Sequence, residues 1–226
     1  VGETESNWSD CIDKTRQLAP ESVTIYQMEI PYNTTIYRQM KDGERTTAPV
    51  ADWPTKRRWV DEAFTALEQD GYLVGSAYTA KKNQEVQFLY RDGLWHGADM
   101  LGVGVSSFSH LGGVHFQNDH DLEPYCDRVE GGELPIHRAL TLSDDELLIR
   151  ELILQMKLGK VPLQYFQDKF GVDASQRFAE ALGKHTADGH LQVEGQQLVM
   201  NRDGLLQVDC LLQEFFLDEH RGARYA

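Results

Sequence analysis

The most constraining stretch of the sequence runs from Asp99 to Gly113, where a short apolar run opens into a segment rich in glycine and serine. The apolar run is typical of a buried strand, and Gly102 and Gly104 let another backbone or a ligand come close. The hydroxyl and N–H groups that follow Val105 are available to polar atoms. Because open α/β sheets and barrels bind ligands where strands end, we predict that this segment belongs to a binding site.

The first 135 residues alternate between helical and strand-like patterns, an order that favours parallel β/α units. Helical stretches place apolar residues three or four positions apart, and strand-like stretches are rich in β-branched and aromatic side chains. The predicted elements are a helix that Thr4 caps, a strand from Val23 to Met28, a helix from Pro54 to Gly71, strands from Tyr72 to Ala80 and from Val86 to Tyr90, a short strand from Val114 to Phe116 and a helix from Leu122 to Glu130.

The pattern changes after Gly131-Gly132-Glu133-Leu134-Pro135, which predicts a boundary between one domain at 1–135 and another at 136–226. The later elements are a helix with a Ser143–Glu146 capping box, a short helix from Pro162, a helix from Phe178 to His185, a hairpin around Glu194-Gly195 and a last helix from about Arg202 to Phe215. Three helices, a two-stranded wing and a closing helix resemble a winged-helix module.

The charge balance argues against several classes of partner. The 226 residues carry a formal net charge of −14, with a sequence pI of about 4.9. Such a chain is not expected to bind nucleic acid by neutralising phosphates, nor to bind an anionic membrane. We expect neither a membrane span nor a signal peptide. Cys11, Cys126 and Cys210 are too sparse for a zinc site or a disulfide framework and predict reduced thiols in a cytoplasmic protein.

The order of several short segments carries a family resemblance. Gly2-Glu3-Thr4 before a Trp-bearing helix is similar to the turn after a mid-barrel strand, and Val23 to Pro31 is similar to the next strand and its exit. Three further pieces follow in the family's order: Asp70-Gly71-Tyr72, the stretch from Asp99 to Ser109 and the tail from Ala139 to Phe216. The stretch from Asp99 to Ser109 is similar to the family's D-x-[LI]-G-x-G-x-S/A-x-S segment. The chain therefore resembles the oxygen-independent coproporphyrinogen III oxidase family of radical S-adenosylmethionine (SAM) proteins.

The resemblance implies an α/β fold in two parts. Residues 1–135 are expected to form the second half of an open (β/α)6 radical-SAM-type partial barrel, and residues 136–226 a mostly helical, winged-helix-like C-terminal domain. The family binds a [4Fe–4S] cluster through C-x3-C-x2-C in the first half of the barrel, with SAM beside the cluster. Because no such triplet occurs here, we expect the cluster ligands in a missing N-terminal half and expect this chain alone to be inactive.

Two residues are predicted by the resemblance to contact SAM. They are Met28, at the end of its predicted strand, and Phe108, in the glycine–serine segment. Apolar side chains at strand ends can pack on adenine while neighbouring backbone groups bind its edge. The alternative is that both are ordinary core residues. No catalytic residue and no metal ligand is assigned to this chain.

Two further clusters have both a functional and a structural interpretation. Lys56-Arg57-Arg58 fits the propionates of a tetrapyrrole, or it is the solvated first turn of a helix. His110, His115 and Asp119-His120-Asp121 offer ligands to haem iron or another metal, or they form a polar loop of unrelated histidines.

The function implied for the parent protein is an oxidoreductase of porphyrin biosynthesis that decarboxylates a porphyrinogen oxidatively. The expected partner is a small-molecule tetrapyrrole, and the oligomeric state is left open. The position of Trp95 is closer to the family's haem-chaperone branch, so a haem-binding chaperone and a radical SAM haem methyltransferase stay open as alternatives. A winged-helix DNA-binding regulator is disfavoured, because acidic residues are interspersed among Lys160, Lys169 and Arg177.

Overall fold

The computed structural model describes residues 2–31, 34–41 and 50–221, and these residues fall into two compact units. The first unit contains the described residues of 1–87 together with 156–162 and 178–221. The second unit contains residues 88–155 and 163–177. The predicted domain boundary at 135 lies inside the second unit, between a helix and a strand.

Helices and short antiparallel sheets alternate along the chain. The helices are α1 (Glu5–Leu18), α2 (Thr35–Lys41), α3 (Trp53–Gln69), α4 (Leu89–Trp95), α5 (Leu122–Glu130), α6 (Asp144–Met156), α7 (Leu163–Phe170), α8 (Ala174–Arg177), α9 (Ala179–Ala187), α10 (Arg202–Leu206) and α11 (Val208–Leu211), followed by 3-10 helices at Leu212–Phe215 and Asp218–His220. The strands are β1 (Ser22–Thr24), β2 (Leu73–Val74), β3 (Thr79–Lys81), β4 (Phe108–Leu111), β5 (Val114–Asn118), β6 (Ile136–Thr141), β7 (Lys160–Pro162), β8 (Leu191–Glu194) and β9 (Gln197–Met200).

In the first unit, β1, β3 and β2 form a three-stranded sheet with β3 in the centre. Both outer strands are antiparallel to β3, so β1 and β2 run in the same direction without pairing. The predicted parallel pairing is therefore wrong for these strands. β1 and β2 nevertheless run parallel to each other, as the two strands of a β/α/β unit do. The cause is local: the segment predicted as one strand from Tyr72 to Ala80 bends at residues 75–78. Its second arm, β3, takes the place beside β1.

The helix ends of the first unit follow from local sequence. The Thr4 hydroxyl accepts the Asn7 N–H at 3.2 Å and begins α1, which ends at Ala19 in a left-handed conformation. Asp52 caps α3, and Pro54 occupies its first turn as predicted. The core side of α3 packs against the sheet. The core cluster comprises Val60, Phe64, Leu67, Tyr72, Ala80 and Leu206, with Val23, Ile25 and Val74 packed against it.

The second unit has its own sheet, in the order β4-β5-β6, and all its pairs are antiparallel. The stretch from Met100 to Val105, predicted as a buried strand, is not one. Met100 forms an isolated bridge with His110, and the side chains of Leu101 and Val103 are 65% and 82% exposed. Gly102 and Gly104 alternate with apolar residues as in a strand, but the segment forms a turn. A further correction is that the predicted strand from Val86 to Tyr90 gives way to α4.

The later elements are mostly where the sequence places them. In the capping box of α6, the Ser143 N–H donates to Glu146 Oε2 at 2.7 Å and the Glu146 N–H donates to Ser143 Oγ at 3.3 Å. β8 and β9 form the predicted hairpin, and β7 pairs with β9 in the first unit. The single helix predicted to the end of this region is wrong, because Gln207, at φ −125°, interrupts it between α10 and α11.

None of the helices within the described ranges combines the length and the apolar character that crossing a bilayer requires.

Burial of His185 predicts a pH dependence for the first unit. Its Nε2 lies 3.1 Å from the Leu211 carbonyl oxygen, Nδ1 is buried with no partner in the described part of the chain, and burial lowers the pKa of the ring. The unfolded chain takes up a proton near pH 6.5, which the folded chain resists, so the stability present above that pH is lost as the pH falls. Urea unfolding between pH 7.5 and 5.5 is expected to show this loss.

The variant His185→Gln should flatten the profile in part, since burial also lowers the pKa of His110 and of His115. The control variant replaces the exposed His120 by asparagine. An unchanged slope in His185→Gln would show that another group controls the titration.

Candidate functional site

The segment that follows β1 borders a groove in the first unit, and Met28 lies in it. The Met28 side chain is 41% exposed, so it is not a core residue. The groove has a volume of 160 Å³, comparable with the roughly 150 Å³ of an apolar cavity that holds benzene. It therefore has room for one planar ring. Its lining comprises Glu3, Trp8, Tyr26, Gln27, Met28, Val50, Ala51, Lys56, Trp59 and Val60.

Two polar groups are fixed beside Met28. Lys56 Nζ donates to the Met28 carbonyl oxygen at 2.7 Å and lies 4.5 Å from the centre of the Trp53 ring, and burial lowers the pKa of this lysine. Gln27 Nε2 donates to the Leu206 carbonyl oxygen at 2.7 Å, while its Oε1 is buried with no donor among the described residues. The groove thus combines an apolar side chain with a cation that is held in place.

The predicted basic cluster at 56–58 does not form one surface. Lys56 turns to Met28, whereas Arg58 pairs with Glu5 and Glu62. Arg57 Nη2 lies 3.7 Å from Cys210 Sγ. The three side chains engage separate partners, as expected for the first turns of a well-anchored helix.

In the second unit, the glycine–serine loop at 102–107 is closed by its own hydrogen bonds. The Gly102 N–H donates to Ser109 Oγ at 3.0 Å, and Asn118 Nδ2 donates to the carbonyl oxygens of Gly102 and Gly104 at 3.2 and 2.9 Å. The Ser106 N–H donates to the Asp119 carbonyl oxygen at 2.8 Å. These N–H groups, which the sequence predicted to be available to a ligand, therefore form hydrogen bonds within the protein. The backbone that comes close to Gly102 is the chain's own.

Phe108 follows this loop as the first residue of β4. Its side chain is 46% exposed and stacks on His115, with 5.6 Å between ring centres. Like Met28, Phe108 is not a core residue, so both predicted SAM contacts present apolar surface to the solvent. Each lies in a different unit.

The predicted histidine–aspartate cluster separates into two pairs. His110 and His115 face each other across β4 and β5, with ring centres 6.3 Å apart. His120 instead contacts His137, with ring centres 4.8 Å apart, and the buried Asp119 pairs with Arg128 at 3.3 Å. The histidines are therefore neither one metal-binding group nor unrelated loop residues.

A buried charged cluster in the second unit has no counterpart in the sequence analysis. The Glu151 side chain is 5% exposed and accepts from Lys169 Nζ at 2.7 and 2.9 Å and from the Tyr165 hydroxyl. These residues lie on α6 and α7, so only the packing of two helices brings them together. The neighbouring Arg150 was missed for the same reason.

Comparison with known proteins gives a consistent result. Residues 142–206 match the family described as HemN C-terminal domain. A Helicobacter pylori oxygen-independent coproporphyrinogen III oxidase is 30% identical over 94% of this chain and 49% of its own length. The Pseudomonas aeruginosa protein of that name is 26% identical over 99% of this chain and 52% of its own length. A solved structure titled as Escherichia coli coproporphyrinogen III oxidase (HemN), a radical SAM enzyme, matches with a TM-score of 0.72 and 20% identity over 95% of this chain and 52% of that chain.

The chain is homologous to the oxygen-independent coproporphyrinogen III oxidases. The resemblance seen in the sequence is thereby confirmed, and the α/β fold agrees with that of the solved structure. The chain spans about half the length of most of the coproporphyrinogen oxidases it matches.

The homology to coproporphyrinogen oxidases of the radical SAM type implies two bound groups, a [4Fe–4S] cluster and SAM. The residues of this chain suit only one of them. A [4Fe–4S] cluster does not fit, because Cys11 and Cys210 lie exposed on α1 and α11, Cys126 lies on α5 of the second unit, and no C-x3-C-x2-C triplet is present. Part of SAM does fit. The groove at Met28 has room for a planar ring.

Proposed function

We propose that this chain forms one half of a radical SAM oxidoreductase that decarboxylates a porphyrinogen, and that it lacks this activity alone. Its homology to proteins named oxygen-independent coproporphyrinogen III oxidase carries the proposal. The cysteines, which do not match the cluster motif, support inactivity of the isolated chain. The unpaired thiols also support a cytoplasmic location. When bound, SAM and the cluster would supply the radical that removes hydrogen from a propionate side chain.

Residues 1–135 are assigned to the second half of an open barrel and residues 136–226 to a winged-helix-like domain. The likeness to the radical SAM enzyme over 95% of the chain supports this assignment. β1 lies at the edge of its sheet, where a strand from the other half of the protein can pair with it. An apolar groove of 260 Å³ along α1, β1 and α3 offers packing surface for that half.

Two residues of the groove, Met28 and Lys56, have distinct roles in this proposal. Met28 packs on the adenine ring. Lys56 holds the Met28 carbonyl oxygen and so fixes the segment after β1. The family resemblance also assigns an apolar contact with SAM to Phe108.

Replacing Met28 by alanine is expected to weaken SAM binding by this chain about tenfold. The reason is the loss of about 1.5 kcal/mol from burying a methionine side chain against the ligand. Equilibrium dialysis with radiolabelled SAM measures the effect, and Phe108→Ala tests the second predicted contact in the same way.

Leu18→Ala is the matched control, because Leu18 is 81% exposed at the end of α1. Its affinity for SAM should equal that of the unmodified chain. Equal affinity in Met28→Ala, or no binding of SAM at millimolar concentration, would remove Met28 from the site.

Turnover tests the activity itself. The chain is mixed anaerobically with the separately expressed preceding half of the Pseudomonas aeruginosa relative, SAM, reductant and coproporphyrinogen. Loss of CO2 from the mixture but not from the chain alone is the expected result. Tight haem binding without decarboxylation would favour the haem chaperone, and SAM-dependent methylation of haem would favour the methyltransferase.

A further inference from the structure

The bend between β2 and β3 contains a tyrosine that the proposed function leaves unused. Tyr78 lies at the end of this bend, where Ser76 Oγ accepts the Tyr78 N–H at 3.2 Å and lies 2.7 Å from Thr79 Oγ1. The Tyr78 carbonyl oxygen accepts the Ile25 N–H at 2.7 Å. The backbone of Tyr78 is therefore fixed directly beside the segment that follows β1, in which Met28 lies.

Two charged groups from later parts of the first unit hold the Tyr78 side chain. Its hydroxyl donates to Asp209 Oδ2 at 2.6 Å, and Lys157 Nζ lies 2.8 Å from Asp209 Oδ1. Lys157 Nζ also lies 5.5 Å from the centre of the Tyr78 ring, within the range of a cation–π contact. Burial, and to a lesser degree the charge of Asp209, raises the pKa of Tyr78, so the hydroxyl stays protonated and remains a donor.

Tyr26 connects these three residues to the groove at Met28. The Tyr26 ring packs against the Tyr78 ring, with 5.4 Å between the ring centres and 38° between their planes. Tyr26 is also 73% exposed and lines the same groove as Met28. An aromatic ring that is supported by a second ring, while most of its surface is open to solvent, is suited to stacking on a planar ligand.

We propose that Asp209 is a positioning residue that holds the Tyr26 ring, through Tyr78, in place to stack on the planar ring of the ligand in the groove. This inference rests on the proposed function, in which that planar ring is the adenine of SAM. Neither Asp209 nor Lys157 is among the described residues that line the groove, so their effect on the ligand is indirect. Lys157 keeps the Asp209 carboxylate turned toward Tyr78.

Adenosine is the probe for the test, because it supplies the planar ring without the rest of SAM. The whole chain is labelled with 3-fluorotyrosine, and the ¹⁹F signals of Tyr26 and Tyr78 are assigned from Tyr26→Phe and Tyr78→Phe. We expect adenosine to shift the Tyr26 signal saturably. Without ligand, Asp209→Ala should change the signals of both tyrosines, because both rings lose their fixed orientation.

The affinities for adenosine distinguish positioning from general support of the fold. Tyr26→Ala is expected to weaken binding about fivefold, since an aromatic contact is lost. Asp209→Ala is expected to weaken binding about threefold, since the Tyr26 ring then has to be ordered on binding. In the Tyr26→Ala background, Asp209→Ala should cause no further loss, because no ring is left to position. A general weakening of the fold would lower the affinity in both backgrounds.

Asp218→Ala is the matched control, because it removes the same charge from an exposed carboxylate of the first unit. Its affinity should equal that of the unmodified chain. Asp209→Asn should lie between Asp209→Ala and the unmodified chain, because the amide keeps one acceptor oxygen for the Tyr78 hydroxyl. If Asp209→Ala does not fold, Tyr78→Phe removes only the hydroxyl and should show the same loss and the same dependence on Tyr26.

An unchanged affinity in Asp209→Ala would overturn the positioning role, as would a loss that persists in the Tyr26→Ala background. Binding of SAM without a shift of the Tyr26 signal would also overturn it. In each case, weaker SAM binding by Met28→Ala would still support the proposed function. If neither adenosine nor SAM binds to the unmodified chain, the proposed SAM contacts of this chain are wrong, and this inference fails with them.

Discussion

Replacing Gly102 by alanine is expected to destabilise the second unit by about 3 kcal/mol, the upper part of the range for overpacking a tight site. A Cβ atom at Gly102 would lie 2.2 Å from the Phe108 carbonyl oxygen, well inside van der Waals contact. Neither backbone can move away easily, because Phe108 begins β4 and the Gly102 backbone is hydrogen-bonded to Ser109 and Asn118. The ring of Phe108 would shift with its backbone.

Urea unfolding of chain labelled with 5-fluorotryptophan measures this loss, because the ¹⁹F signal of Trp95 reports the second unit. Gly104→Ala is the matched control in the same loop. Its Cβ would come no closer than 3.6 Å to Ser107 Oγ, so only the left-handed backbone at φ +106° resists the change, at about 1–2 kcal/mol. Equal losses in the two variants would show that the close approach at Gly102 does not set the requirement for glycine.

The elements that the sequence predicts well are those with a local signal. Thr4 begins α1, Ser143 and Glu146 cap α6, and Glu194-Gly195 turns the β8–β9 hairpin, because each depends on a few neighbouring residues. Strand pairing depends on distant residues and was predicted poorly. The bend between β2 and β3 has a weak sequence signal, yet it decides which strand lies beside β1.

The same distinction applies to the candidate sites. The facing pair of His110 and His115 was within reach of sequence analysis, because a two-residue Gly112-Gly113 hairpin turn sets that register. The positions of Arg150 and of Lys169 relative to their neighbours were not. Helical periodicity identifies the faces of α6 and α7, but it does not say which residues of the two helices meet.

Replacing Glu151 by alanine is expected to destabilise the second unit by about 3 kcal/mol, at the lower end of the range for breaking a buried ion pair. The lower end applies because the Lys169 side chain is 40% exposed and can be solvated again, whereas Glu151 is 5% exposed. The Tyr165 hydroxyl also loses an acceptor. Glu151→Gln should lose less, since the amide oxygen still accepts hydrogen bonds. The ¹⁹F signal of Trp95 during urea unfolding is the measurement.

A second substitution, at Gly97, tests whether Glu151 lies where the structure places it. A Cβ atom there would lie 1.9 Å from Glu151 Oε1 at a left-handed φ of +81°, so Gly97→Ala should also be strongly destabilising. In the double variant, the carboxylate that causes this clash is gone, so the total loss should be smaller than the sum of the single losses. Lys14→Met, which removes an exposed ion pair with Asp10, should change the stability by less than about 0.5 kcal/mol. Strictly additive losses at Gly97 and Glu151 would contradict direct contact between them, and with it the buried cluster that joins α6 to α7.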